Sequence, residues 1–221
     1  MSKNKLKTAS EAIECIKSGS VIMVGGFMGC GSPKHILDVL AETNVKDLTC
    51  ISNDTDFEGV GVGKLVKKGK IAKLIASHIG TNPETGRKMN SGEIVVELNP
   101  QGTFVERIRC GGAGLGGFLT PTGLGTIIEN GKKKIDVNGI TYLLETPLRA
   151  NVALIKAFKA DSWGNLIFRG SGRNFNLAMA TAADYVIAEV EECVSVGDID
   201  PEDVMLPGIF IDAIVLRREE V

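Results

Sequence analysis

The sequence contains no CxxC, HxxxH or GxSxG, and no apolar run approaches the length of a membrane span. Each absence removes a class of function. Five cysteines (Cys15, Cys30, Cys50, Cys110 and Cys193) are scattered singly and are odd in number, which fits neither a zinc site nor a disulfide framework and points to free thiols in a reducing compartment. With only His35 and His78 present, a histidine-rich metal site is excluded, and no metal is expected. Charge of one sign is also lacking. The net charge of −2, with acids and bases intermixed, leaves no electrostatic footprint for nucleic acid or membrane. The short basic runs Lys64–Lys73 and Lys132–Lys134 read as solvated edges. The N-terminal MSKNKLKTASEAIECIKSG has no apolar h-region and reads as an amphipathic helix, so a cytoplasmic location is expected.

What is present is an alternation of helix and strand over 221 residues, 43% of them apolar, which suits one α/β domain spanning 1–221. Ser10 can cap a helix that runs through Ile16 and stops at Gly19. Val21–Val24 is a continuous apolar strand of the kind covered on both faces. Ser32 as N-cap and Pro33 as first helical residue predict a helix over KHILDVLAET, with Ile36, Leu37 and Leu40 inward. Strands follow at LTCIS, IAKLIAS and EIVVEL, separated by a short helix, KLVKKG, and a polar loop, GTNPETGRKMNSG. This rhythm predicts a mostly parallel central sheet flanked by helices. Further on come a helix over TFVERIR, a glycine-rich open loop, and a hairpin turned at Asn138-Gly139. Strands near NVALIKA, NLIFR, YVIAEV and IFIDAIV, with a helix over NLAMATAA, complete the chain.

The most informative stretch is VIMVGGFMGCGSP, where a buried strand breaks into Gly25, Gly26, Gly29 and Gly31 before a helix. A strand, a glycine turn and a helix N-terminus together form a general anion device. The P-loop spacing is met by Gly26 and Gly31, but Ser32-Pro33 follows where a lysine is required; the dinucleotide pattern GxGxxG is not met. A plain tight βα turn is the other reading. A second cluster, PQGTFVERIRCGGAGLGGF, is expected to converge with the first on a crevice at the carboxyl edge of the sheet. Asn53 and Gln101, each just past a strand, would project into that crevice and offer amides suited to a carbonyl or carboxylate. Asp54 sits at the place of a ribose-binding acid, but a lone acid there carries little weight, and Cys30 reads as a small apolar filler in preference to a reactive thiol. No nucleophile stands out, since Glu129 falls in a turn before a hairpin. The crevice reads as half of a site.

These residues resemble a known family. VGGFMGCGSP is similar to the pattern GGFxxxGxP of the α subunits of class I coenzyme A transferases, carried by Gly25, Gly26, Phe27, Gly31 and Pro33. The Asp/Asn-Gly favoured before that strand is here Ser18-Gly19. The resemblance continues through ISNDT, ASHIGTNPETGR, PQGT, ERIRCGGAGLGGFLTPTG and RNFN, and so spans nearly the whole chain. Within the family it points to the bacterial acetate/butyrate–acetoacetate (3-oxoacid) branch. It implies a CoA-transferase-like fold, related to that of ribose-phosphate isomerase and glucosamine-phosphate deaminase. It also implies reversible CoA exchange between a short-chain acyl-CoA and a free carboxylate, with CoA as substrate and no permanently bound cofactor. In the family the nucleophile is a glutamate of the β subunit within Ser-Glu-Asn-Gly, giving ping-pong kinetics in an α2β2 assembly. Here Ile128 precedes Glu129-Asn130-Gly131, so that role is not carried over. By resemblance Gly25, Gly26, Phe27, Met28, Gly29, Cys30 and Gly31 are the CoA-binding segment, with Gln101 and Asn53 near the acyl group. Two rival functions are a self-sufficient sugar-phosphate isomerase of related fold and a non-catalytic acyl-CoA-binding chain.

Overall fold

A computed structural model describes residues 5–217. The elements in chain order are α1 (Ala9–Ala12), β1 (Val21–Val24), α2 (Lys34–Ala41), β2 (Leu48–Ser52), α3 (Val62–Lys67), β3 (Ile71–Ala76), α4 (Pro83–Ser91), β4 (Val95–Leu98) and α5 (Gln101–Gly112). There follow β5 (Phe118–Thr120), β6 (Lys134–Val137), β7 (Ile140–Glu145), β8 (Ala150–Lys156), β9 (Lys159–Asp161), β10 (Leu166–Ile167), α6 (Asn176–Thr181), β11 (Ala183–Val190), β12 (Glu192–Val194) and β13 (Ala213–Leu216).

Seven strands form the central sheet in the order β13-β11-β8-β1-β2-β3-β4, every pair parallel. The expected parallel sheet is therefore present. β1 is its middle strand, bonded to β8 on one side and β2 on the other, which explains why Val21–Val24 is apolar without alternation. Successive side chains still go to opposite faces. Ile22 and Val24 join Leu37, Leu40, Leu65 and Leu154 under the first three helices. Met23 instead joins Phe104, Ile108, Ala153 and Met179 under α5 and α6. The two apolar layers cover both faces of the sheet, as the alternation of elements requires.

Several local expectations need correction. Thr8, not Ser10, caps the first helix: its hydroxyl accepts the Glu11 N–H while the Glu11 carboxylate accepts the Thr8 N–H, a reciprocal capping box. That helix passes into a 3-10 turn ending at Cys15, well before Gly19, and the first four residues of the expected amphipathic segment lie outside the described ones. Ser32 does not cap α2; its hydroxyl turns to Asp56 at 3.2 Å, and Pro33 precedes the first helical residue, Lys34. The expected polar loop at 80–92 contains α4, capped by Asn82, started by Pro83 and stopped by Gly92 in the left-handed region at φ +79. The glycine-rich loop after TFVERIR is shorter than expected, because α5 continues through Gly112. A Cβ on Gly111 would stand 2.0 Å from the Leu148 carbonyl oxygen, and one on Gly112 would stand 2.2 Å from Thr181 Oγ1. Glycine lets this helix end press against its neighbours. Asn138-Gly139 does turn the β6–β7 hairpin, at φ +52 and +80.

Candidate functional site

The chain lays β1 to β4 outward in one direction, then returns to place β8 on the other side of β1. The order of the sheet thus reverses between β1 and β8, and a crevice at the carboxyl ends of such a pair is where open α/β sheets take their ligands. A crevice of about 290 Å³ is found there. Cys30 and Gly31 after β1 form one wall, Lys156 at the end of β8 and Phe158 just past it another, and Arg169–Gly172 a third. Lys156 Nζ lies 3.0 Å from Glu191 Oε1, and the Arg169 guanidinium stacks 3.4 Å above the centre of the Phe158 ring. The lysine beside Glu191 holds that carboxyl below its ordinary range. Two cations against one carboxylate favour an anionic ligand.

The glycine segment is not the open cradle of free amides that the sequence suggested. All six N–H groups from Gly25 to Cys30 donate within the chain. Gly25 donates to the Leu154 carbonyl, Gly26 to Asn174 Oδ1, and Phe27 and Cys30 to each other's carbonyls. Met28 donates to Asp54 Oδ2 at 2.9 Å and Gly29 to Asp56 Oδ1 at 2.8 Å. The result is a closed two-residue turn with Met28 at φ +47 and Gly29 at φ +80. What excludes side chains is the chain itself. A Cβ on Gly25 would fall 1.8 Å from Asn176 Oδ1, and one on Gly31 would fall 2.5 Å from the Gly172 carbonyl oxygen. The segment that presses so close includes RNFN, 145 positions away from Gly31 at Asn176. The turn is nevertheless accessible, because Phe27, Met28 and Cys30 are exposed at its tip. Cys30 is therefore no apolar filler; its Sγ lies 3.4 Å from Ser171 Oγ at the crevice wall.

Beyond β2, β3 and β4 the rim carries amides, as expected, but in unequal roles. Asn53 is only 2% exposed, and its Oδ1 accepts from both Gln101 Nε2 at 2.9 Å and Ser77 Oγ at 2.7 Å. Its Nδ2 donates to Asp54 Oδ2 at 2.8 Å. Asn53 thus orients its neighbours, while Gln101, the first residue of α5, is exposed. The sequence missed the acids behind this row. Asp54 and Asp56 are both buried, and burial together with the Asp54 charge pushes the Asp56 carboxyl up, against hydrogen bonds that pull it down. A further acid, Glu189 at the end of β11, is fully buried under the start of α2. Its Oε2 accepts the Ile36 N–H at 3.0 Å, Oε1 has no hydrogen-bond partner among the described residues, and burial pushes its pKa up to about 7. The N-terminus of α2 is thus occupied by a side chain of this chain.

The second glycine cluster does not converge on the crevice. α5 starts at the carboxyl rim with Gln101 and runs back, so Gly111 and Gly112 pack against Leu148 and Thr181, just ahead of β8 and β11 at the opposite edge. Glu129 belongs to the hairpin region, bonded to the Gly125 N–H at 2.7 Å and to Lys134 at 3.0 Å, neither of them a rim residue.

The chain is similar to known proteins along nearly its whole length. The profile described as Coenzyme A transferase matches residues 6–217. The acetate CoA-transferase subunit alpha of Escherichia coli is 52% identical over 217 residues, covering 98% of this chain and 99% of that one. The acetoacetyl-CoA:acetate/butyrate CoA transferase alpha subunit of Clostridium acetobutylicum is 54% identical over 199 residues, covering 90% and 91%. Among solved structures, an acyl-CoA transferase from Escherichia coli in a thioester complex with CoA superposes with a TM-score of 0.89 at 20% identity. All of this chain is matched there, and it spans 48% of that longer chain.

Proposed function

Because the chain belongs to the coenzyme A transferase family, as an α subunit of class I, we propose that it moves CoA between acetyl-, butyryl- or acetoacetyl-CoA and a free short-chain carboxylate together with a β subunit. The observation that carries the reading is the rim itself, where the turn at Phe27–Cys30, the exposed amide of Gln101 and the crevice between β1 and β8 lie along one edge. Matches covering nine-tenths or more of both chains, to α subunits of acetate and acetoacetate CoA transferases, support the substrate class.

In this reading a glutamate carboxylate of the β subunit attacks the thioester carbonyl carbon. The carbon–sulfur bond breaks, CoA leaves as thiolate, and an acyl-glutamyl anhydride remains. The thiolate then attacks the glutamyl carbonyl, releases the first carboxylate and leaves a glutamyl-CoA thioester. A second carboxylate reverses the sequence. This chain supplies position and charge. Gly25 to Gly31 bring the CoA thioester against the rim, with Cys30 and Gly31 at the crevice wall and Phe27 and Met28 presented to the acyl chain. Lys156 and Arg169 supply positive charge for the anionic parts of CoA, and Gln101, oriented by Asn53, donates to the oxygen on which charge develops. The crevice is too small to hold all of CoA, which supports completion by a β subunit; the α2β2 assembly rests on the family resemblance.

The test is co-purification with the β chain, followed by exchange from acetoacetyl-CoA or butyryl-CoA to acetate. Exchange by the assembled enzyme and none by either chain alone is expected. Binding of acyl-CoA by this chain with no gain of activity on adding the β chain contradicts the reading.

A further inference from the structure

We infer that Asp54 and Asp56 are positioning residues that lock the Phe27–Cys30 turn and so set which acyl chains the transfer site accepts; the inference rests on the CoA-transfer reading above. The two carboxylates engage all four of their oxygens. Asp54 Oδ2 accepts from Met28 N–H at 2.9 Å and Asn53 Nδ2 at 2.8 Å, while Oδ1 accepts the Asp56 N–H at 2.8 Å. Asp56 Oδ1 accepts the Gly29 N–H at 2.8 Å, and Oδ2 accepts from Val62 N–H at 2.8 Å and Ser32 Oγ at 3.2 Å. The acids are 4% and 3% exposed, and among the described residues no lysine, arginine or histidine pairs with either. Two neighbouring buried carboxylates held only by neutral donors are an expensive way to close a turn. The turn adds its own strain, because Met28 occupies the left-handed region that favours glycine. An Asn-Gly pair closes the β6–β7 hairpin of the same chain with no such support.

What the arrangement secures is the posture of the tip. Consecutive amides of Met28 and Gly29 are gripped from behind, so the Phe27 and Met28 side chains are held outward, 41% and 43% exposed. The grip extends sideways. Gln101 and Ser77 both donate to Asn53, and Asn53 donates to the Asp54 oxygen that also holds Met28. Five residues after β1, β2, β3 and β4 are thereby tied into one row across the rim, and a shift of the turn is felt at Gln101.

The test uses the assembled enzyme with Asp54→Asn and Asp56→Asn. Each amide leaves one acceptor where two were in use and turns an NH2 group toward a backbone N–H. Hydrogen exchange in the Met28–Gly29 segment should quicken about tenfold or more. The ratio of kcat/KM for butyryl-CoA to that for acetyl-CoA should change by about tenfold. A partly unfolded sample lowers both values equally and leaves the ratio alone, so the ratio isolates positioning from stability. Met28→Gly, which relieves the strain at φ +47 and removes the side chain, should fold and should also shift the ratio. A ratio within twofold of wild type in all three, with exchange quickened in the two aspartate variants, overturns the inference alone. Unchanged hydrogen exchange in Asp54→Asn and Asp56→Asn overturns the clamp. A wild-type assembly that exchanges no acyl-CoA overturns the transfer reading, and this inference with it.

Discussion

Gln101, which follows β4, and Glu189, near the end of β11, lie on opposite sides of β1 in the strand order, and each supports a residue-scale prediction. Gln101 is exposed, donates to Asn53 and is assigned the developing oxyanion. Gln101→Ala in the assembled enzyme should lower kcat roughly a hundredfold, the usual loss for one such donor; turnover at the wild-type rate would remove it from the mechanism. Glu189 makes a statement about stability. Its carboxyl has an ordinary value of 4.5 and is pushed up to about 7 by burial, against the pull of the Ile36 and His35 amides, Lys156 and Arg217. Below about pH 4.5 the folded and unfolded chains both hold the proton, and the contribution is fully present. As pH rises toward 7 the unfolded chain gives up the proton first, so stability falls. Glu189→Gln should therefore melt roughly 5 °C above wild type at pH 8, with the gap nearly closed at pH 5. A gap independent of pH in calorimetry contradicts this. Neither Glu189 nor the Asp54–Asp56 pair could be read as buried from the sequence, because what buries them is remote. Glu189 meets a helix start 153 positions away, and Asp54 meets Met28 across 26. The glycines were legible as places where side chains are excluded, but the excluding group, Asn176, was not.

Elements with a strong apolar period were legible. β1, β2 and β3 lie where their continuous apolar runs put them, and α2 turns Ile36, Leu37 and Leu40 inward. α4 was not, because it buries only Thr85 and offers no apolar stripe to count. Its ends carried the information instead, in Asn82, Pro83 and Gly92. Asn82 is fully buried, accepts the Glu84 N–H at 3.1 Å and donates to the Thr55 carbonyl at 3.2 Å. Asn82→Ala should cost about 1–2 kcal/mol and lower the melting temperature by roughly 3–6 °C. A loss below half a degree would mean that the cap does not hold this helix. In the three-stranded sheet β10-β9-β12, β10 lies inside the strand expected at NLIFR, but its pairing and its partners β9 and β12 escaped sequence reading for another reason. The strands of this sheet are two or three residues long, and β12 reaches β9 only after α6 and β11 have intervened. The longer reach of α5 was hidden by Gly111 and Gly112, which the sequence presents as loop formers and the fold uses for close packing.

At the scale of the whole molecule, alternation of elements foretold a parallel sheet but not the order of its strands. The order depends on β8 returning to β1 from 126 or more positions along the chain, a pairing that no local pattern encodes. That return creates the reversal at which the crevice lies, and with it the rim on which the account depends. Among the described residues no helix is long and apolar enough to cross a membrane. The central claim of the proposed function is a division of labour, in which this chain positions the acyl-CoA and a glutamate of the β subunit attacks its thioester carbonyl. The direct measurement is to charge the assembled enzyme with acetoacetyl-CoA in the absence of acceptor, reduce the covalent intermediate with borohydride, and weigh and map each chain by mass spectrometry. The account predicts a modified glutamate on the β subunit and an unmodified α chain. A modified carboxylate on this chain, whether Glu129, Glu189 or Glu191, would contradict it.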